Sequence, residues 1–365
     1  MSAISFVIKV TDQCNLYCGY CYYYAGENAS LRTRKFPDAG RRLQALGMKI
    51  ANASCMDMYD RVSLVLHGGE PLLSRQEDLV SLIDPVAHAY GKRTHIALQT
   101  NGLLVNCDWI QFFIDYRVTL GFSIDAGRSY HDERRPLGNG KGSYDSAVAG
   151  LRAVQNSAYA TSLGSPGIIS VFDERVSASD YLTHFIDELN VCDFDILFPD
   201  EAFGSVDEYR RLTPLYAQFV KDMWGEYLRR NDPSIRFRFI ERIVAGFSRS
   251  RSERSMSKTD SMFLAIDLTG NVYFEDGLRY AFSLDDMVVG NWMEEDLGLI
   301  VRRATDQLAK RMAIPDSCRS CENLSHCGGG ELSYRYSPLT KRFDTYALCE
   351  ATKAVSDGLR SVIAA

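Results

Sequence analysis

Short apolar runs alternate with longer amphipathic stretches through roughly the first two hundred residues of the chain. Six of the runs have the length and the β-branched or aromatic content of strands: Ser5–Val10, Arg61–Leu66, Thr94–Gln99, Val118–Ile124, Gly167–Phe172 and Phe194–Phe198. Helical periodicity predicts helices between them, near Asp38–Ala53, Gln76–Tyr90, Asp108–Tyr116, Ser143–Gln155 and Ser179–Leu189. This alternation predicts an α/β fold, in which six mostly parallel strands form a partial (β/α)6 TIM-like barrel.

The pattern changes after this region. It predicts a long helix over Asp207–Arg230, a strand over Arg236–Ile240, a solvated linker over Ser248–Asp260, a hairpin of Phe263–Leu268 and Val272–Phe274, and a helix over Asp296–Ala313. We therefore expect a barrel in residues 1–205, a bridging helix and linker in 206–262, and a small second domain in 263–365.

Composition and charge narrow the class of protein. The chain has 365 residues, of which 46% are hydrophobic and 24% charged, with a net charge of −6. This weak negative balance argues against a nucleic-acid partner or an anionic membrane surface. No apolar run is long enough for a transmembrane helix, and the first residues lack the basic start of a signal peptide. We therefore expect a cytoplasmic protein with no membrane partner.

The ten cysteines are unevenly distributed. In a reducing compartment, clustered cysteines indicate metal binding or catalysis more than disulfides. Seven of them form two clusters, and the other three, Cys55, Cys107 and Cys192, are expected to be small buried apolar side chains.

The first cluster, Cys14, Cys18 and Cys21, follows the first predicted strand. Three thiolates in one short loop can hold three irons of a [4Fe–4S] cubane and leave the fourth iron open to a chelating substrate. Structural zinc is the competing interpretation, but zinc sites usually have a fourth ligand and paired cysteines, and no fourth Cys or His lies nearby in sequence.

A second motif follows the second strand, where Gly68 and Gly69 precede Glu70 and Pro71. Two glycines let the backbone approach a ligand closely, and the carboxylate of Glu70 suits an ammonium group. A CxxxCxxC loop followed by GGEP, each after a strand, resembles the radical S-adenosylmethionine (SAM) superfamily. The resemblance implies that a [4Fe–4S] cluster cleaves SAM to methionine and a 5′-deoxyadenosyl radical.

Further residues match that superfamily in order. Tyr20 is the aromatic residue expected before the third cysteine, and Gln99 and Asn101 close the third strand. The resemblance implies that Ser123 and Arg135 contact the ribose or carboxylate of SAM. We therefore expect all of these side chains, together with Gly68, Gly69 and Glu70, in the SAM site.

The second cluster consists of four cysteines, Cys318, Cys321, Cys327 and Cys349. Four thiolates satisfy all four irons of a cubane, so this site is expected to be closed, with a four-thiolate zinc site as the alternative. Three glycines follow Cys327, as in the SPASM domain of peptide-modifying radical SAM maturases. That domain usually binds two auxiliary clusters, but Glu275 stands where one cysteine ligand would be. We therefore predict one auxiliary cluster, and two [4Fe–4S] clusters in all.

The cysteine-free hairpin, the three glycines and the Arg335-Tyr336 pair resemble the Fxs, Xye and Grr types of maturase. The resemblance implies oxidative crosslinking of an aromatic ring to a neighbouring β-carbon in a ribosomal precursor peptide. Asp276 is the candidate base, and the auxiliary cluster is the candidate electron acceptor. The expected partners are the precursor peptide and an external electron donor of the flavodoxin or ferredoxin type.

Other functions remain open. A sulfatase maturase oxidises Cys or Ser to formylglycine and shares the layout, but the missing first auxiliary cluster counts against it. A radical SAM dehydrogenase or epimerase acting on a small molecule would also tolerate one auxiliary cluster. An iron–sulfur electron carrier would not need the GGEP motif. Because the first cysteine is residue 14, we expect no fused leader-binding domain before the barrel.

Overall fold

The fold was analysed in a computed structural model, which describes residues 2–248, 261–275 and 277–364. The chain divides into two compact units. The first consists of Met1–Ser123, Asp132–Pro166 and Thr259–Ala309, and the second of Ile124–His131, Gly167–Lys258 and Lys310–Ala365.

The elements follow the predicted alternation of strands and helices. The strands are β1 (Ala3–Thr11), β2 (Arg61–Gly68), β3 (Thr94–Thr100), β4 (Thr119–Ser123), β5 (Gly167–Val171), β6 (Asp193–Leu197), β7 (Arg236–Phe237), β8 (Ser261–Ile266), β9 (Asn271–Tyr273) and β10 (Val288–Asn291). The α-helices are α1 (Ala39–Ala51), α2 (Gln76–Tyr90), α3 (Cys107–Asp115), α4 (Arg128–Arg134), α5 (Tyr144–Gln155), α6 (Ala158–Leu163), α7 (Ala178–Leu182), α8 (Val206–Arg230), α9 (Arg238–Ser248), α10 (Leu284–Met287), α11 (Leu297–Arg311), α12 (Asp316–Arg319), α13 (Leu324–Cys327) and α14 (Cys349–Ala364).

In the first unit the strands lie in the order β10-β9-β8-β1-β2-β3-β4. Strands β1 to β4 are parallel to their neighbours, and β8 pairs in parallel with the other side of β1. The hairpin of β8 and β9 and the pairing of β9 with β10 are antiparallel. Strand β1 has buried apolar side chains at Ile4, Phe6 and Ile8, because residues two apart face the same side of a sheet.

In the second unit β5, β6 and β7 are parallel neighbours. Helix α8 begins at the Ser205 cap, whose side chain accepts from the backbone N–H of Glu208, and its apolar face is buried. No helix in the part of the chain that the structure describes is both long and apolar enough to cross a membrane.

These elements confirm the predicted α/β class, and one local prediction was wrong. The strand predicted over Arg236–Ile240 ends at Phe237, and Arg238–Ser248 is a helix. Phe239, Ile240 and Ile243 are buried at helical spacing, so the pattern fits the next helix better than a continued strand. The predicted linker over Ser248–Asp260 lies outside the described residues from 249 onward, and the three-domain division stays a prediction.

Candidate functional site

The first three cysteines lie in the loop that follows β1. The Cys14 sulfur accepts a hydrogen bond from the backbone N–H of Leu16 at 3.4 Å. Burial above all, together with the nearby charges of Glu70, Cys18 and Cys21, raises the pKa of the Cys14 thiol to about 12. The three thiols are half-buried and act electrostatically on one another together with the Glu70 carboxylate, and three thiols in one loop are a donor set that fits a cubane with one open iron.

Backbone hydrogen bonds fasten this loop to the segment that follows α4. The N–H groups of Tyr17 and Gly19 donate to the carbonyls of Pro136 (2.8 Å) and Arg134 (3.0 Å). Arg135 is buried, and its Nη1 donates to the Tyr20 hydroxyl at 2.6 Å. Two residues predicted to bind SAM are thus in direct contact, and Tyr20 fixes the position of the Arg135 guanidinium beside the cysteine loop.

Gly68 and Gly69 bring the end of β2 against the cysteine loop. Gly68 has a φ of 140°, and a Cβ there would lie 2.2 Å from the Thr11 carbonyl oxygen. A Cβ on Gly69 would lie 2.0 Å from the Gln13 carbonyl oxygen. We expected these glycines to let the backbone approach a ligand. The structure shows that their lack of a side chain is needed for another reason as well, because the backbone of Gly68 and Gly69 packs against the Thr11 and Gln13 carbonyls.

Glu70 follows the glycines and is buried. Its Oε1 accepts from the Thr100 hydroxyl at 2.7 Å and the Leu72 N–H at 3.1 Å, and its Oε2 accepts from the Asn101 N–H at 2.8 Å. Burial raises the pKa of Glu70 to about 7 although these hydrogen bonds act in the opposite direction. An ammonium group beside this carboxylate would favour its ionised form, which is the chemistry expected of a site for the SAM amino group.

The other predicted SAM contacts lie at the ends of β3 and β4. Gln99 Nε2 donates to the Ser123 hydroxyl at 2.8 Å, so these two residues form a pair. Asn101 Nδ2 donates to Asn15 Oδ1 at 2.7 Å, which joins the end of β3 to the cysteine loop. Tyr20, Gly68, Gly69, Glu70, Gln99, Asn101, Ser123 and Arg135 all belong to the first unit.

The four cysteines of the second cluster belong to the second unit. Three of them, Cys318, Cys321 and Cys349, line a cavity of about 550 Å³ together with Tyr346 and Lys353. Burial raises the pKa values of Cys327 and Cys349, and the nearby thiol of Cys318 raises both further. Four thiols in one unit, three of which line one cavity, are by chemistry a donor set that fits one four-thiolate cubane.

The three glycines after Cys327 shape that site. Gly328, Gly329 and Gly330 have φ values of 65°, 85° and 82°, a left-handed conformation that glycine adopts readily. The Gly330 N–H donates to the Cys327 carbonyl at 3.2 Å, and the backbone N–H groups of Gly329 and Gly330 oppose the rise in the pKa of the Cys327 thiol. Within residues 2–248, 261–275 and 277–364, no group of three His, Cys, Asp or Glu side chains is placed to hold a single metal ion.

Two further predictions concern the proposed base Asp276 and the three cysteines outside the clusters. Asp276, the predicted base, lies outside the described residues, whereas the neighbouring Glu275 accepts from the Gly277 N–H at 3.0 Å. The expectation that Cys55, Cys107 and Cys192 are buried was wrong, because Cys107 is exposed at the start of α3 and the other two are half-buried. A cysteine at the first position of an amphipathic helix does not have to face the core.

Sequence reasoning missed a buried polar group behind the cysteine loop. Lys9 is fully buried in β1, and its Nζ donates to the Tyr22 hydroxyl at 2.8 Å. Asp12 accepts from the Tyr23 hydroxyl and from Arg34 Nε. A lysine within an otherwise apolar strand was the available signal, since a buried charge requires partners. These contacts hold both ends of the Cys14–Cys21 loop.

A known sequence profile matches nearly half of the chain. Residues 8–180, which include the first cysteine loop and Glu70, match the sequence profile described as the radical SAM superfamily. This part of the chain is similar to a radical SAM domain. Proteins of this superfamily use SAM and a [4Fe–4S] cluster, so these are the cofactors that the similarity implies.

Known proteins resemble this chain well beyond the matched residues. The serine-type anaerobic sulfatase-maturating enzyme of Bacteroides thetaiotaomicron is 22% identical over 89% of this chain and 81% of its own length. The structure of anSMEcpe with bound AdoMet and Cp18Cys peptide has a TM-score of 0.77 at 17% identity, over 99% of this chain and 98% of that one. Streptococcus suis SuiB bound to precursor peptide SuiA has a TM-score of 0.59 at 16% identity, over 95% and 75%. At these identities the structures show a shared fold.

Proposed function

We propose that this radical SAM enzyme modifies a ribosomal precursor peptide by joining an aromatic ring to the β-carbon of a neighbouring residue. The observation that carries the proposal is the shared fold with two peptide-bound enzymes over 99% and 95% of the chain. Glu275 occupies the position of a cysteine ligand in typical SPASM domains. The crosslinking maturases that this chain resembles also lack that cysteine, which supports crosslinking as the reaction.

The cofactors follow from the two sets of thiols. We propose that one cluster is held by Cys14, Cys18 and Cys21, and an auxiliary cluster by Cys318, Cys321, Cys327 and Cys349. When bound, SAM and the clusters supply a radical that removes a hydrogen atom and an acceptor for one electron. An external flavodoxin or ferredoxin type of protein is the proposed reductant.

The side chains of this protein bind SAM and move one proton. Glu70 would accept a hydrogen bond from the SAM ammonium, and Arg135, whose Nη1 donates to the Tyr20 hydroxyl, would contact the ribose or carboxylate of SAM. Gln99, which donates to the Ser123 hydroxyl, would bind SAM beside Ser123, which would contact the ribose or carboxylate. Asp276 takes the ring proton when the new C–C bond forms. The peptide therefore loses two hydrogens, one as an atom and the other as a proton and an electron.

Co-expression with candidate precursor peptides tests the proposal. We expect a loss of about two hydrogens per crosslink, together with missing fragment ions between the two joined residues in the tandem mass spectrum, since one bond cleavage no longer separates them. The matched control is the same peptide with the aromatic residue replaced by leucine. An unmodified mass for every peptide, with SAM cleavage intact, would contradict peptide crosslinking.

Formylglycine formation is the second candidate, favoured by the similarity to the Bacteroides thetaiotaomicron sulfatase-maturating enzyme over 89% of this chain. Oxidation of a serine also removes two hydrogens, so mass alone does not separate the two products. An aldehyde reacts with hydroxylamine and a crosslink does not. A hydroxylamine adduct on the product peptide would therefore favour formylglycine formation.

Asp276→Asn is expected to leave 5′-deoxyadenosine release intact and to lower crosslinked product by about a hundredfold or more, the usual contribution of a general base. Both products are measured in the same reaction by chromatography and mass spectrometry. Glu275→Gln, which neutralises the neighbouring acid, is the matched control and should retain crosslinking. Normal crosslinking by Asp276→Asn would remove this residue from the mechanism.

A further inference from the structure

We propose that the exposed side of the Cys14–Cys21 loop is the docking surface for the external reductant, a one-electron carrier protein with an acidic surface. The reduced carrier passes one electron to the cluster that this loop is proposed to hold, and is itself oxidised by one electron. The inference rests on the proposed function in one respect, which is that Cys14, Cys18 and Cys21 hold a cluster that an external carrier reduces.

The cysteine loop has one side toward the predicted SAM contacts and another toward solvent. On the first side, Asn15 Oδ1 accepts from Nδ2 of Asn101, one of those predicted contacts, at 2.7 Å. On the other side, Tyr17 is 50% exposed and Gly19 is also exposed. Tyr17 immediately precedes Cys18, so this surface lies one residue from a proposed cluster ligand. Electron transfer slows steeply with distance, so a carrier has to bind where the loop of the cluster reaches solvent.

Contacts within the first unit hold the exposed Tyr17 ring in place. The Arg32 guanidinium lies 4.3 Å from the centroid of this ring and donates to the Leu16 carbonyl. The Tyr17 N–H donates to the Pro136 carbonyl at 2.8 Å. A Cβ on Gly138 would lie 2.8 Å from Tyr17 Cε2, so the turn over residues 137–141 packs directly against the ring. An aromatic ring that is already ordered loses little conformational entropy when a partner binds.

Two cations belong to the segments that contact this ring. Arg32 stacks on it, and Lys141 ends the turn that packs against it, where the Leu137 N–H donates to the Lys141 carbonyl at 2.8 Å. Lys141 is exposed, and within the residues that the structure describes neither cation is paired with a carboxylate. Residues 16–35 and 132–142 together contain six Lys or Arg and three Asp or Glu, whereas the whole chain has a net charge of −6. This local excess of positive charge favours an acidic partner, because complementary charges steer association.

The first test measures binding of a flavodoxin and of a ferredoxin, each with a net negative charge, to the reconstituted full-length enzyme without peptide. Lys141→Glu should raise the dissociation constant by about three- to tenfold, because an exposed ion pair is lost and a like-charge contact replaces it. The effect should shrink at high salt, where exposed charges are screened. Lys92→Glu is the matched control, because Lys92 is also exposed but precedes β3, at the opposite end of the parallel strands from the cysteine loop.

Electron delivery gives a second readout. When the reduced carrier drives 5′-deoxyadenosine release, Lys141→Glu should need about three- to tenfold more carrier for half-maximal rate and reach the same maximal rate, because only docking is weakened. Dithionite is a small reductant that needs no docking surface. Release driven by dithionite should therefore stay within about twofold of wild type.

Weaker carrier binding by Lys141→Glu, but not by Lys92→Glu, supports the proposal. It is overturned if Lys141→Glu binds as wild type does, if Lys92→Glu loses as much affinity, or if wild type binds neither carrier. Weaker binding of a precursor peptide by Lys141→Glu, with carrier binding intact, would assign this surface to the peptide and also overturn it. If wild-type enzyme releases no 5′-deoxyadenosine with dithionite, the proposed function fails as well. Release with dithionite, without carrier binding, overturns the docking surface alone.

Discussion

Cys18→Ala is expected to lower the iron content of reconstituted protein from about eight to about four per chain and to abolish 5′-deoxyadenosine release. The reason is that the Cys14–Cys21 loop supplies only three thiols, and two thiols do not retain a cubane that already has an open iron. Iron and sulfide assays measure the first effect, and chromatography after dithionite reduction with SAM measures the second.

Two other cysteine variants are the controls for this experiment. Cys107→Ala changes an exposed cysteine outside both clusters and should retain about eight irons and full SAM cleavage. Cys327→Ala removes a proposed ligand of the proposed auxiliary cluster, so it should retain SAM cleavage and lose crosslinked product. About twelve irons in wild-type protein would contradict a single auxiliary cluster, and undiminished SAM cleavage by Cys18→Ala would contradict the assignment of the first loop.

Glu70→Gln is expected to weaken SAM binding to the reconstituted enzyme by about ten- to a hundredfold, which corresponds to the loss of one charged hydrogen bond. The N–H groups of Leu72 and Asn101 both donate to the Glu70 carboxylate. In Glu70→Gln an amide NH₂, which is itself a donor, would face one of these donors. Anaerobic calorimetric titration with SAM measures the dissociation constant, and circular dichroism verifies that the variant is folded.

Thr100→Val is the matched variant for Glu70→Gln. It removes the 2.7 Å hydrogen bond from the Thr100 hydroxyl to Glu70 but leaves the carboxylate charge in place. We expect its SAM dissociation constant to stay within about threefold of wild type, because the ion pair with the ammonium is retained. Equal affinity of Glu70→Gln and wild type, with full iron content, would show that Glu70 does not bind the ammonium of SAM.

Much of the fold could be predicted because buried strands have a clear apolar pattern. Strands β1, β2 and β3 begin or end within two residues of their predicted limits. The parallel pairing of β8 with β1 could not be predicted, because periodicity indicates a hairpin but not the strand with which the hairpin pairs. The helix of Arg238–Ser248 was missed because a short apolar run fits both a strand and a helix.

The candidate site was predictable where residue type and spacing determine the chemistry. The cysteine spacing distinguishes a set of three thiols, which leaves one iron open, from a set of four, which does not. The structure adds which side chains contact the loops that carry these thiols. The contact of Arg135 with Tyr20, more than a hundred residues away in sequence, depends on tertiary packing. The burial of Arg335 likewise has no local signal, because arginine at the surface and arginine in the core are identical in sequence.

The parallel pairing of β1 with β8 also affects how the protein is synthesised. Ala3 is aligned with Ser261, so one edge of β1 has no partner until most of the chain has left the ribosome. At about 5–20 residues per second this delay is roughly ten to fifty seconds, during which an apolar strand edge is available for wrong pairing. The nascent chain therefore exposes the strand that precedes its first cysteine loop, and chaperone supply during expression should affect the yield of soluble enzyme.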